Sequence, residues 1–269
     1  MNEITVPQLK SLLSSENVKA RFHEILGKKS AGFISSLLST VNNNTLLQKA
    51  EPQSILNSAV IAATLDLPIN PSLGMAAIVP YNDKKTGMCI AQFQLMYKGL
   101  IELCQRSGQF ISLIDEVVYE GQLVKKNKFT GEHVFDEDAK KSNKVIGYMA
   151  YFKLANGFEK THYMTIEEAK AHASKYSQSF KKGYGVWKDD FDIMARKTVL
   201  KLLLAKYAPK SIETQRAIVF DQASISGNLI ESGIEEAEVK YIDNEENTTE
   251  SVEQKKEQLK SKDKPIDLP

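Results

Sequence analysis

The chain of 269 residues is 42% hydrophobic and 26% charged with a formal net charge of +1, which supplies a sizeable core and excludes a chain that stays unfolded throughout. The near-neutral total hides an asymmetry: residues 1–220 hold 29 Lys and Arg against 21 Asp and Glu, a net +8, and residues 221–269 hold 6 against 13, a net −7. A basic body suits a polyanion, and an acidic tail suits a solvated interaction segment.

Cys89 and Cys104 lie in apolar patterns without CxxC spacing, so reduced core thiols and a cytoplasmic protein are expected. No leader pattern opens the sequence, and no apolar run approaches the ~20 residues that span a bilayer, so no membrane partner is expected.

The first 66 residues read as a helical layer. Residues 5–14 carry a capping-box pattern in Thr5 and Gln8, with Pro7 in the first turn. Residues 16–26 place Val18, Phe22, Ile25 and Leu26 on one face before Gly27, and residues 31–41 do so with Phe33, Ile34, Leu37, Leu38 and Val41. Pro52 opens a fourth helix that carries Ile55, Ala59, Ala62 and Ala63 toward Leu65. Gly27-Lys28-Lys29-Ser30 has the ending of a phosphate-binding loop, but the first glycine of that motif would fall on Phe22 and no strand precedes it. A helix stop followed by a basic turn accounts for it.

Residues 74–108 form one unit of strand, turn, strand and helix. From 88 to 95 the apolar residues alternate, so Cys89, Ala91, Phe93 and Leu95 are expected on the core face and Ile90, Gln92 and Gln94 on the other. The strand runs into Tyr97-Lys98-Gly99, where a helix begins that stops at Ser107-Gly108. A sheet face with two amides thus meets a helix start with a tyrosine and a lysine.

Residues 110–119 read as a strand. Residues 121–144 are polar and charged, and read as a flexible loop or irregular hairpin, or as a basic finger that reaches DNA or a neighbouring subunit. Residues 145–164 read as a hairpin around Asn156-Gly157. With those two residues as the loop, Lys153 lies opposite Lys160 and Tyr151 opposite His162. That repulsion has two readings: a phosphate backbone crosses the face, or two lysines splay into water and keep the sheet soluble.

Thr165 and Glu168 form a second capping box for a helix through Ala173. Between 175 and 187, Tyr176, Phe180, Lys181, Lys182, Tyr184 and Trp187 interleave rings with lysines, as a single-strand binder does, although Trp187 also suits a core anchor. Residues 188–207 form the longest helical pattern, ended by Pro209, with Phe191, Ala195, Thr198 and Leu202 as its core stripe and Lys197 and Lys201 on one face. From about residue 225 apolar density falls, and disorder is expected to the end.

The runs AQFQLMYKGLIELCQRSGQ, IAATLDLPINPSLG and VIGYMAYFKLANGFEKTHYMTIEEAKAH closely resemble the RecT family of phage single-strand annealing proteins, over about residues 15–215. The resemblance implies an ATP-independent protein that coats single-stranded DNA, pairs it with a complementary strand in phage recombination and assembles into rings or helical filaments. It implies no enzyme activity and no cofactor. A partner exonuclease and a host single-strand-binding protein are candidate partners for the acidic tail.

Annealing needs a strand held extended by phosphate contacts that carry little sequence information. The candidates are Gln92, Gln94, Tyr97, Lys98 and Arg106 in the central unit; Lys153, Lys160, Lys181, Lys182 and Trp187 after it; and Arg196, Lys197 and Lys201 on the long helix. Lys98, Glu102 and Arg106 also fit an ordinary intrahelical charge ladder.

A nuclease would draw on Glu116, Glu120, the acids at 136–138 or those at 189–192, but each suits a solvated loop or a helix start. His23, His133, His162 and His172 lack zinc spacing, so no metal is expected. A non-annealing single-strand-binding accessory protein is the alternative function. The fold expected is α+β: a small antiparallel sheet with hairpins packed against helices, a helical layer at 1–66, a DNA-binding core at 67–220 and a disordered acidic tail at 221–269.

Overall fold

The hydrophobic periods and breakers of the sequence fix most of the elements. The computed structural model describes residues 6–83, 86–183, 185–209, 212–235, 237–241 and 250–251. Helices α1 (Val6–Ser14), α2 (Glu16–Leu26), α3 (Ser30–Asn42) and α4 (Pro52–Thr64) precede strands β1 (Ala76–Asn82) and β2 (Cys89–Leu95) and helix α5 (Tyr97–Arg106). Strands β3 (Phe110–Tyr119), β4 (Leu123–Asn127), β5 (Glu132–Phe135), β6 (Val145–Leu154) and β7 (Glu159–Thr165) follow. Helices α6 (Ile166–Tyr176), α7 (Gln178–Lys181), α8 (Val186–Asp189), α9 (Phe191–Tyr207) and α10 (Ile212–Phe220) come next, then β8 (Ser224–Ser226), α11 (Leu229–Ser232) and β9 (Glu238–Lys240). The class is α+β, with small antiparallel sheets. Thr5, half of the first expected cap, lies outside the described residues.

Two compact units result, one from the chain up to Gly99 and again from Val219 onward, the other from Leu100–Ile218. The expected boundary at 66 therefore falls inside the first unit. In that unit α4 is buried at every residue from Ser54 to Ala63, and its polar side chains are spent on neighbours. The Ser54 hydroxyl accepts from the Ala91 N–H at 2.8 Å, and Asn57 accepts from the Leu229 N–H at 3.1 Å while donating to the Gly227 carbonyl at 2.8 Å. Such bonds satisfy buried polar groups that would otherwise cost stability.

The segment from 221 to 241, expected to be disordered, is folded at its described residues. The Asp221 carboxylate accepts from the Leu95 N–H at 2.9 Å, Gln222 N–H donates to the Phe93 carbonyl at 2.9 Å, and Ala223, Leu229, Ala237 and Val239 are buried. Low apolar density misleads here because the segment borrows its core from α4 and β2. The acidic run at 242–249 and the residues after 251 lie outside the described residues.

In the second unit the sheet order is β3-β6-β7, and β4 pairs with β5. The charged stretch at 121–144 thus contains a hairpin. It is irregular, with a register shift between Leu123 and Lys125. Helix α9 packs on all three strands of the sheet. Its buried residues are Ala195, Thr198, Val199, Leu200, Leu203 and Leu204, so Leu202 is only half-buried and the core stripe is wider than the expected one. Both thiols are free: Cys104 is buried and pushed up to about 12 by desolvation, and burial also raises the half-buried Cys89. Among the described residues no helix is long and apolar enough to cross a membrane.

Candidate nucleic-acid interface

The start of α5 is built by close backbone approach. Gly74, left-handed at φ +66°, ends a short 3₁₀ turn, and its carbonyl accepts from the Lys98 N–H at 3.1 Å. The Met75 carbonyl accepts from the Met96 N–H at 3.0 Å, and a Cβ on Gly99 would collide with that same carbonyl. Only glycine lets the helix start sit this close. The Lys98 stem lies over Gly74 and its ammonium is exposed, with Tyr97 and Gln94 half-buried beside it in sequence.

Gln92 departs from the expected face: it is only 3% exposed. The alternation argument assumes one wet face, but β2 has buried residues on both, Ile90 and Gln92 on one and Ala91 and Phe93 on the other. Gln92 therefore offers no amide to a ligand in solution.

The hairpin of β6 and β7 also departs from expectation. Gly157 donates to the Leu154 carbonyl at 3.0 Å and Leu154 to the Phe158 carbonyl at 2.8 Å, so the loop has three residues, Ala155 to Gly157. Gly157 supplies the positive φ, +88°, at the third loop position, and the Asn156 side chain accepts from the Phe158 N–H at 3.0 Å. One added loop residue shifts the register by one. Lys153 lies opposite Glu159, not Lys160, and forms a 3.7 Å ion pair with it; Tyr151 pairs with Thr161 and donates to Glu159 at 2.7 Å. The repulsion that suggested a phosphate here does not exist. Lys160 sits opposite Phe152, on the other face from Lys153.

Trp187 is 8% exposed and packs against Phe180 and Phe191 with ring centroids 5.8 Å and 5.4 Å away, so it is a core anchor and presents no stacking face. Arg196 is also engaged: its Nε donates to the Asp115 carboxylate at 2.8 Å and its Nη2 to the Asp115 carbonyl at 2.7 Å. A DNA phosphate would have to compete with a carboxylate that is 2% exposed.

Arg106 makes a 3.4 Å bridge to Glu102, the ladder its spacing allows. Lys181 and Lys182 are exposed just before Gly183, whereas Lys197 and Lys201 are half-buried on α9. Lys201 is close enough to His172 to help lower its pKa, after burial.

The carboxylates have structural work. Asp190 caps α9 by accepting from the Ile193 N–H at 3.2 Å, Asp192 accepts the Tyr148 hydroxyl at 2.5 Å, and Glu120 accepts from Ser142 at 2.9 Å. Among the described residues no group of three or more His, Cys, Asp or Glu is placed to hold a metal ion. Lys126, within the stretch read as a loop or a basic finger, and Lys206 on the long helix were not singled out as contact residues. The signal that could have found them is their aromatic company: Lys126 lies 5.3 Å from the Tyr163 ring centroid and Lys206 lies 5.1 Å from that of Tyr207.

A family model described as the RecT family matches residues 31–240. An uncharacterized protein of Bacillus subtilis, YqaK, is 47% identical over 211 residues, which are 78% of this chain and 71% of that protein. Protein RecT of Escherichia coli is 30% identical over 209 residues, 74% of each chain.

Proposed function

The chain belongs to the RecT family, whose general role is single-strand annealing in recombination, and from that premise we propose that this protein binds single-stranded DNA and pairs it with its complement without ATP. The observation that carries the reading is the family match, which spans residues 31–240 and so takes in both units. The exposed Lys98, held by the Gly74-Met75 backbone, and the exposed Lys181 and Lys182 are the phosphate contacts this reading retains from the original set. Gln94, Tyr97 and Lys160 join them as half-buried contacts.

The Gly27-Lys28-Lys29 segment, whose ending is that of a nucleotide loop, is a 3₁₀ turn between two helices with no strand before it. No bond-making step is assigned to any side chain. Weak phosphate contacts repeated along a homo-oligomer, a ring or helical filament, would sum to stable coating of the strand and of the annealed duplex. A partner exonuclease or host single-strand-binding protein would engage the acidic terminus, by its charge.

The test mixes two complementary labelled oligonucleotides with the protein, without ATP, at two salt concentrations. Faster pairing than in protein-free DNA, with both strands at full length, is expected. Salt-sensitive binding without acceleration would leave an accessory single-strand binder. Shortened strands would reinstate the nuclease.

A further inference from the structure

Three lysines converge around the edge strand β7 with no carboxylate partner among the described residues. Lys160, on β7, has its Nζ 5.3 Å from the Tyr207 ring centroid, and Lys206 approaches the same ring to 5.1 Å from the end of α9. The β4–β5 hairpin closes the group: Lys126 lies over Tyr163, and a Cβ on Gly131, at the hairpin turn, would stand 2.7 Å from Lys160 Nζ. Among the described residues none of the three takes part in an ion pair. Glu168, whose charge acts on His133 and His162, already accepts from the Thr165 N–H at 2.8 Å as part of its capping box.

Beside these ammonium groups lies a pocket of about 550 Å³ lined by His162, Leu202, Ala205, Lys206 and Tyr207. It is a recess half open to solvent, mainly apolar in its lining, with two rings and one cation among the lining residues. Cations held over aromatic faces keep their charge available to an anion while their stems stay ordered. Apolar lining, ring and fixed cations together suit one nucleotide of a single strand, its base against Tyr207 and His162 and its phosphates on the lysines.

We propose that Lys126, Lys160 and Lys206, with the His162–Tyr207 pocket, form a single-strand contact site that holds one unstacked base and its flanking phosphates. The inference rests on the single-strand-binding reading above and adds a site to it. The groups facing the two histidines here are Lys126 from β4, Lys160 on β7, Lys206 from α9 and Glu168 from α6. Burial lowers the pKa of both rings first; Lys126 and Lys160 add to this at His133, and His133, Lys206 and Lys126 at His162, while Glu168 at both and a Gly131 backbone bond at His133 oppose it in part. Phosphates entering between the lysines offset their charge and favour imidazolium, so occupancy takes up protons and affinity rises as pH falls.

The test uses the full chain and the anisotropy of a labelled oligothymidylate across a salt series, at about pH 7.5 and about pH 6. Lys160→Gln with Lys206→Gln, which keeps side-chain volume, is expected to weaken binding about tenfold and to reduce the salt slope by about two. Tyr207→Leu is expected to weaken the intact oligonucleotide but not an abasic chain of the same length. Lys10→Ala, exposed on α1, serves as the unaffected control. Acidification is expected to tighten binding by the parent chain, and His133→Gln with His162→Gln to flatten that response. Should the lysine pair bind with parental affinity and slope while the parent chain binds and anneals, this inference alone is overturned. If the parent chain binds no oligothymidylate at any salt, the single-strand-binding reading falls with it.

Discussion

Arg196 of α9 grips Asp115 of β3 at two points, the carboxylate through Nε at 2.8 Å and the backbone carbonyl through Nη2 at 2.7 Å. Asp115 faces α9 from a strand position opposite Ala150, which is fully buried. Removing the guanidinium leaves a carboxylate that is 2% exposed without its charge partner, a change that costs about 3 kcal/mol or more. Arg196→Ala is therefore expected to lower the unfolding free energy by that much, read as a lower urea midpoint at an unchanged m-value. Its salt slope for oligothymidylate should stay parental, unlike that of the Lys160 and Lys206 variants. Parental stability with a reduced slope would move Arg196 back among the phosphate contacts.

The single tryptophan reports on its own burial. Trp187 is enclosed by Phe180 and Phe191 and only 8% exposed, so native emission should be blue-shifted and move to the red on unfolding. Trp187→Ala removes a buried ring and is expected to cost about 3 to 5 kcal/mol. Addition of oligothymidylate should leave the emission maximum where it is. A native maximum already at the fully solvated wavelength would contradict the packing, and a strong shift on adding DNA would restore Trp187 as a stacking platform.

What the sequence made legible follows from which interactions are local. Helix α2 ends at Gly27 and the Thr165–Glu168 capping box is present with both bonds, because these depend on residues a few positions apart. Strand β3 runs from Phe110 to Tyr119, as its β-branched and aromatic run indicates. The misses all needed a distant partner or a single extra residue. Gln92 is buried because β2 is covered on both faces, and the segment after 220 folds because Asp221 and Gln222 bond to β2. In the hairpin, Asn156-Gly157 marked the turn correctly, but Gly157 took the third loop position and moved every cross-strand pair by one. The candidate site was legible as composition, lysines among rings. Which cation was committed elsewhere was not, since Lys153–Glu159 depends on that register and Arg196–Asp115 on how α9 lies against β3.

Gly99 couples backbone packing to the exposed Lys98. A methyl group there meets the Met75 carbonyl, a backbone atom with no rotamer to yield. Gly99→Ala must push the start of α5 away from residues 74 and 75, at about 1 to 3 kcal/mol. It should also displace Lys98, whose N–H is bonded to the Gly74 carbonyl at 3.1 Å. The expected outcome is a lower thermal midpoint together with weaker oligothymidylate binding, measured where the variant is still fully folded. Gly32→Ala, where an added Cβ meets nothing, should leave both at least at parental values. Parental stability in Gly99→Ala would show that the helix start does not approach residue 75 this closely.

Acid should act on this protein with opposite signs in the free and bound states. His133, His162 and His172 all titrate below the ordinary imidazole value, first because burial disfavours the charged ring and then because other cationic groups stand near: Lys126 and Lys160 at His133; His133, Lys206 and Lys126 at His162; Lys201 and Lys175 at His172. In the unfolded chain the same rings titrate near ~6.5. Between the unfolded and the folded values the unfolded chain binds more protons, so folding stability rises with pH in that window and is lost as pH falls from ~6.5 through the folded values. The urea midpoint of the free protein should therefore drop between about pH 7 and about pH 5.5, above the range in which ordinary carboxylates titrate. His172→Gln, away from the proposed base pocket, should reduce that drop without altering the pH dependence of oligothymidylate binding. The pair His133→Gln and His162→Gln should reduce both. A stability that is flat or rising on acidification across this window would mean that the three rings are not desolvated in the folded chain, and the protonation argument for the pocket would go with it.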